Sequence, residues 1–283
     1  MKKSGGSEKH ASKNKNNQSK KQSKDKRKKA NKTSKQTRFV FDKRNSLCKK
    51  FSKGNNKPLK ERLLEQLRGS RFRYLNEQFY VSSSTDAKDY FAKNPEEFEA
   101  YHEGYEQQAS LWPTNPIDKI IKDIRRVLKS EKRLVIADFG CGQAKLAQTL
   151  DGTDNKVFSF DLVATNKYVT ACDMSQTNLF SNSVNVAVFC LSLMGSNLSQ
   201  FIKEANRVLK IDGLMKIAEV KSRFDKVEKF IQDVEKYGFT IVKKDLSDEA
   251  FYYFDFKKKS SISKHKKKKL PEIELKSCLY KQR

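Results

Sequence analysis

From Leu134 onward the apolar positions fall into short dense runs separated by stretches of helical spacing. Leu134-Val135-Ile136-Ala137-Asp138-Phe139 is a near-continuous apolar run of strand length, the pattern of a strand covered on both faces, and it stops at Gly140-Cys141-Gly142. A short helix is predicted over 144–150, a strand over 157–162, a short extended piece over 169–172, and a buried strand within the longest apolar run, 184–194. Phe201, Ile202, Ala205, Val208 and Leu209 then recur on one helical face between 198 and 210, with Asp212-Gly213 as the stop. A strand over 214–220, a helix over 225–237 closed by Gly238, and strands over 239–242 and 251–256 complete the series. Strands alternating with helices predict an α/β protein with a mostly parallel sheet. Upstream, 59–67, 87–108 and 117–128 read as helices, the last after the breaker Pro116, and are expected to cap one edge of that sheet.

Charge divides the chain further. Its 60 Lys and Arg against 34 Asp and Glu give a net charge of +26 over 283 residues, a balance that points to polyanionic partners. Residues 1–60 hold 22 of these bases with 3 acids and residues 257–283 hold 11 with 2, which leaves 27 bases against 29 acids between them. The expected organisation is a disordered basic arm over 1–58, a helical extension packing on the core over 59–130, the α/β core over 131–257 and a basic tail over 258–283. The arm is Lys, Ser, Asn and Gln with little apolar surface to offset the entropy of ordering. Lys26-Arg27-Lys28-Lys29 and Lys266-Lys267-Lys268-Lys269 suit nuclear import or sequence-blind phosphate contact. No apolar run reaches the roughly 18 residues of a membrane span, so no membrane partner is expected. Cys48, Cys141, Cys172, Cys190 and Cys278 form no CxxC pair, which argues for reduced thiols and no metal site.

The glycine turn narrows the chemistry. A dinucleotide fingerprint needs a third small residue where Lys145 stands, and no Gly-Lys-Ser/Thr of a phosphate-binding loop is present. What remains is Asp138 before the turn and Asp161 at the end of the next strand, about 20 residues beyond the turn. A carboxylate there accepts both hydroxyls of a ribose while the glycines let the backbone approach the ligand. S-adenosylmethionine has a ribose and no phosphate. Asp173 stands where it can accept from an adenine amine, with Met174 as an apolar wall.

Several segments carry a closer likeness: Gly69-Ser70-Arg71-Phe72-Arg73 with Asn76-Glu77-Gln78, Tyr101-His102-Glu103-Gly104-Tyr105, Trp112-Pro113, Ala137-Asp138-Phe139-Gly140-Cys141-Gly142, Cys172-Asp173-Met174, Cys190-Leu191-Ser192-Leu193-Met194-Gly195, Glu204-Ala205-Asn206-Arg207 and Lys221-Ser222-Arg223-Phe224. Over roughly 60–256 the chain resembles the ribosomal RNA-processing protein 8 family, also called nucleomethylin. The resemblance implies a Rossmann-like, class I S-adenosylmethionine-dependent methyltransferase that acts in the nucleus, in the nucleolus, on N1 of an adenine in large-subunit ribosomal RNA of the pre-ribosome. It further implies cofactor contacts at His102, Gly140, Asp161, Asp173, Met174 and Cys190. Animal members of the family are tied to a chromatin-silencing complex, so a cofactor-binding subunit of such a complex, without turnover, is the alternative.

Two departures from the general methyltransferase pattern stand out. Only about six residues, 163–168, join the second strand to the third, too few for a crossover helix, so the sheet is expected to be irregular there. After the fourth strand the Asn/Asp-Pro-Pro-aromatic segment of exocyclic-amine methyltransferases is replaced by Cys190-Leu191-Ser192-Leu193-Met194-Gly195, which points away from an exocyclic amine. Arg71, Arg73 and Arg223 are candidate bidentate phosphate ligands, and Tyr101, Tyr105 and Trp112 candidate stacking faces for a base. No catalytic acid or base is assigned.

Overall fold

The structure, a computed structural model, describes residues 58–128, 133–263 and 269–278. The chain divides into two units, Met1–Arg62 and Leu63–Arg283; of the first only residues 58–62 are described, and the fold below is that of the second. The basic arm expected over 1–58 therefore lies, but for Pro58, outside the described residues, as do three of the four lysines at 266–269.

Strands β1 (Val135–Phe139), β2 (Lys156–Asp161), β3 (Val169–Ala171), β4 (Val184–Cys190), β5 (Leu209–Val220), β6 (Phe239–Asp245) and β7 (Phe251–Lys258) form one sheet in the order 3-2-1-4-5-7-6. Strands β1 to β5 pair in parallel, and β7 is inserted antiparallel between β5 and β6. The helices are α1 (Leu59–Val81), α2 (Ser84–Lys93), α3 (Pro95–Ala109), α4 (Pro116–Val127), α5 (Lys145–Leu150), α6 (Leu198–Val208) and α7 (Val227–Lys236).

The two-residue period of β4 sends Ala187 and Phe189 to one face and Val186 and Val188 to the other. The first face is closed by Phe201, Ile202 and Ala205 of α6 and by Phe230, Ile231 and Val234 of α7. The second is closed by Ile120, Ile121 and Ile124 of α4 and by Leu146 and Leu150 of α5. Helix α4 starts where it does because Pro116 tolerates the first helical turn and the Asn115 side chain accepts from Ile117 N at 3.2 Å. Phe189 stacks on Phe139 of the neighbouring strand at 4.9 Å between ring centres, and neither ring meets solvent; truncating such a side chain costs about 3–5 kcal/mol.

Five expectations are corrected. The helix expected over 87–108 is two, because Pro95 lacks the N–H that a continuous helix needs and instead opens α3. Helices α1 to α3 do not cap an edge: Leu75, Phe79, Phe91 and Phe98 pack with Leu162, Val163 and Met194, which follow β2 and β4, so these helices roof the carboxyl end of the sheet. Strand β3 is short but regular, pairing only with Ser159–Asp161. The connection therefore has to return by only about two residues, some 7 Å, and needs no crossover helix. Asp212-Gly213 lies inside β5, at a bulge where Asp212 takes φ +63° and the pairing shifts between Val184 and Val186. Finally, residues 269–278 of the expected tail lie against the body, with Ile273 and Cys278 buried and Ile273 N donating to Ser199 Oγ at 2.9 Å.

Candidate active site

The carboxyl ends of β1, β2 and β4 and the roof of α2 and α3 enclose a cavity of about 460 Å³, within the roughly 300–1,000 Å³ of small-molecule sites. Its floor is built by the glycine turn. Gly140 (φ +72°) and Gly142 (φ +55°) hold left-handed backbone that side chains resist. Both Gly140 N (2.8 Å) and Cys141 N (3.0 Å) donate to Phe160 O, and Gly142 N donates to Asp161 Oδ2 at 2.7 Å. Leu162 N donates to Asp161 Oδ1 at 2.8 Å. Each oxygen of Asp161 is thus fixed by one backbone donor and keeps a lone pair for a ligand hydroxyl.

The end of β3 is joined to this floor by Cys172 N, which donates to Asp161 O at 2.7 Å. Asp173, next along, accepts from Ser175 N at Oδ1 and from Ser84 Oγ at Oδ2, both at 2.8 Å. Ser84 is itself held by Asn197, whose Oδ1 accepts from Ser84 N at 3.0 Å and whose Nδ2 donates to Ser84 Oγ at 2.7 Å. The first residue of α2 therefore orients a carboxylate of the core.

From the roof, the His102 ring comes down over Gly142, close enough that a Cβ on that glycine would meet it at 3.6 Å. Burial pulls the His102 pKa below its ordinary value, against the Asp161 and Glu106 carboxylates, so the ring is neutral at pH 7. Tyr101 donates to Met194 Sδ at 3.2 Å. Tyr105 lines the cavity, its ring edge-on to Trp112 at 5.8 Å, and Trp112 in turn packs on Phe251 at 5.0 Å.

Two polar groups lie beside the glycine turn, and the first has no hydrogen-bond partner among the described residues. The buried Ser192 Oγ has no hydrogen bond, and the missing side chain of Gly140 leaves the gap beside it, since a Cβ there would come within 2.4 Å of Ser192 Cβ. The Asp138 carboxyl is 2% exposed; burial, with Asp161 adding, pushes its pKa up to about 7. Burial likewise raises the Cys141 and Cys190 thiols, so neither is ionised as a nucleophile would be.

All six sequence-proposed cofactor residues, His102, Gly140, Asp161, Asp173, Met174 and Cys190, line this one cavity, as do Tyr101 and Tyr105. Trp112 does not line it and instead backs Tyr105. Arg71 and Arg73 lie on α1, away from it; Arg71 Nε donates to Glu97 Oε2 at 2.9 Å and Arg73 Nη2 to Ser70 Oγ at 2.8 Å. Arg223 is no phosphate ligand: it is 1% exposed, and its guanidinium faces Glu219, Leu193 O and Lys276 O. Ser84 and Asn197 carry no signal in the sequence, and Ser192 stands in the Cys190–Gly195 segment of the family likeness without a role assigned to it there.

The donor set fits S-adenosylmethionine. The Asp161 carboxylate could accept the hydroxyls of a ribose, Asp173 and Met174 could flank its nucleobase, and Asp138 with Ser192 could offer an acceptor and a hydroxyl to its amino-acid end. A family model described as "Hypothetical methyltransferase" matches residues 58–283. The chain is 51% identical over 228 residues to Ribosomal RNA-processing protein 8 of Arabidopsis thaliana, spanning 78% of this chain and 77% of that protein. It is 47% identical over 225 residues to the Mus musculus protein of the same name, spanning 80% of this chain but 48% of the relative. Against the 25S rRNA (adenine(645)-N(1))-methyltransferase of Schizosaccharomyces pombe it is 42% identical over 234 residues, spanning 80% and 72%. With these matches laid over a Rossmann-like sheet that ends in a ribose-type carboxylate, the chain belongs to the ribosomal RNA-processing protein 8 family of methyltransferases.

Proposed function

We propose that this protein transfers the methyl group of S-adenosylmethionine to N1 of an adenine in large-subunit ribosomal RNA, on the pre-ribosome in the nucleolus. The observation that carries the reading is one cavity lined both by Asp161, pinned to the glycine turn, and by Tyr105, Ile117 and Leu191. The relative named as an adenine-N1 methyltransferase supports the choice of target atom, and the net charge of +26 supports an RNA partner.

The cofactor supplies a methyl group already activated on a sulfonium. Adenine N1 carries a free lone pair at neutral pH, so the reaction needs alignment more than a general base. This agrees with a cavity whose thiols are protonated and whose His102 is neutral. N1 is masked in a base pair, so the adenine enters unpaired or flipped and is held against a flat wall. Tyr105 is that wall, stiffened from behind by Trp112 and Phe251. Arg71 and Arg73 on α1 contact RNA phosphate, Arg71 exchanging its Glu97 partner for the backbone.

The test is transfer of labelled methyl to unmodified large-subunit ribosomal RNA, followed by nucleoside analysis. Label is expected in 1-methyladenosine and is expected to vanish with ribonuclease. Label in protein, or in a base other than adenine, would overturn the reading.

A further inference from the structure

The segment after β4, residues 191–195, forms the inner wall of the cavity and is bent: Leu191 takes φ +58° and Ser192 Oγ is left without a partner. A non-glycine residue in that conformation needs its surroundings to hold it. The hold comes from outside the cavity. Leu193 N donates to Glu219 Oε1 at 3.0 Å, and Leu193 O accepts from Arg223 Nη2 at 2.6 Å, so one buried carboxylate and one buried guanidinium grip both backbone groups of the same residue. Arg223 Nη1 stands 2.7 Å from Glu219 Oε2 as an ion pair, and both side chains are 1% exposed.

The other side of Arg223 is held by residues 269–278. Arg223 Nε donates to Lys276 O at 2.8 Å, and Lys276 N donates to Arg223 O at 2.9 Å. Two positions on, Cys278 O accepts from the buried Asn76 Nδ2 of α1 at 2.8 Å. The chain thus returns after β7 as a strap that closes over Arg223 and ties it to the helical roof.

We propose that Arg223 is a positioning residue for methyl transfer, and that the C-terminal strap sets the active-site wall at 191–195 through it. The inference rests on the methyl-transfer reading of the cavity for its kinetic arm alone. Arg223 touches no ligand-facing surface; it acts by fixing Leu193, and through Leu193 the backbone that presents Leu191, Ser192 and Met194 to the cavity. The strap supplies the acceptor for a buried Nε that would otherwise be unsatisfied, while Nη1 meets Glu219 as an ion pair without a hydrogen bond.

The test uses the full chain with two changes at one surface residue, whose side chain is 56% exposed. Lys276→Pro deletes the N–H that holds Arg223 O, whereas Lys276→Ala keeps the backbone bond and removes only the exposed ammonium with its ion pair to the exposed Asp225. Lys276→Pro is expected to lower kcat about tenfold with KM for S-adenosylmethionine changed less than about threefold, and to speed hydrogen exchange at the Leu193 amide. Lys276→Ala is expected to match wild type in both. Arg223→Lys, which loses the planar fork, is expected to exceed Lys276→Pro in both effects; should it fail to fold, the Lys276 pair decides. Wild-type exchange at Leu193 in folded Lys276→Pro, or equal losses in Lys276→Pro and Lys276→Ala, would overturn the proposal. Absence of methyl transfer in the wild type would overturn the reading of the cavity instead and leave the exchange result to judge the strap.

Discussion

The floor of the cavity and its roof place their groups by different means. On the floor the backbone does it: Gly140 and Gly142 curl the chain so that their own amides point at Phe160 O and Asp161, about 20 residues along the chain on the adjacent strand. On the roof side chains do it: His102, Tyr101 and Ser84 reach from helices α2 and α3 to Gly142, Met194 and Asp173 across 40 to 93 residues of sequence. A floor of this kind is rigid and tolerates no added atom, while a roof of single contacts loses its parts one at a time. The expected consequences of substitution differ accordingly.

The largest effect belongs to the floor. Gly140→Ala would force a side chain into a left-handed residue and drive its Cβ toward Ser192. Cofactor affinity by calorimetry is expected to fall about 100-fold, since the strain alone is on the order of 1–3 kcal/mol and the approach of the ligand is blocked as well. Retained affinity would show that the turn is not the cofactor's seat.

A pH effect comes next. Asp138, raised to about 7, is protonated in the free protein below that pH. A cofactor ammonium seated beside it would favour the carboxylate, and binding would then release a proton. Affinity is expected to rise about tenfold per pH unit as pH climbs toward 7 and then to level off, and Asp138→Asn is expected to abolish this slope. The same shift acts on stability with the opposite sign. The unfolded carboxyl ionises from its ordinary value of 3.8, so its contribution to stability is full below that pH and declines as pH rises toward about 7. A free-protein melting temperature that rose between pH 4 and 7 in step with Asp138 would contradict the assignment.

On the roof, His102→Ala is expected to weaken cofactor binding about tenfold, and Ser84→Ala about threefold, the size of one hydrogen bond that only orients Asp173. Neither change is expected to alter the melting temperature by more than a few degrees. Smallest is Arg71→Ala, expected to lower RNA affinity a few-fold and the salt slope by about one, with cofactor affinity unchanged.

The same contrast decides what could be read from the chain. Asp138, Gly140, Gly142 and Asp161 lie in two neighbouring strands and their turns, so apolar runs and glycine spacing placed the floor without further help. His102 carries no local signal; it sits on a helix among charged residues and entered only through the family likeness. The tie between Ser84 and Asp173 joins residues 89 apart and has no trace in composition. Arg223 looks exposed in the sequence, as an arginine in a polar stretch does, whereas the burial that fixes its place comes from Glu219 and the strap. The strap itself was hidden by the lysines at 266–269, which coloured the segment as a tail although Ile273 and Cys278 are its apolar anchors. Pro95 gives a weak signal because helical residues stand on both sides of it, and only its place in the first turn of α3 separates that helix from α2.

The most direct test of the account is the release of S-adenosylhomocysteine by the full chain, with and without unmodified large-subunit ribosomal RNA, beside Asp161→Ala. Turnover that requires the RNA and is lost in Asp161→Ala is the predicted result. Cofactor bound by the wild type with no turnover on any RNA would contradict it and make the protein a cofactor-binding subunit instead.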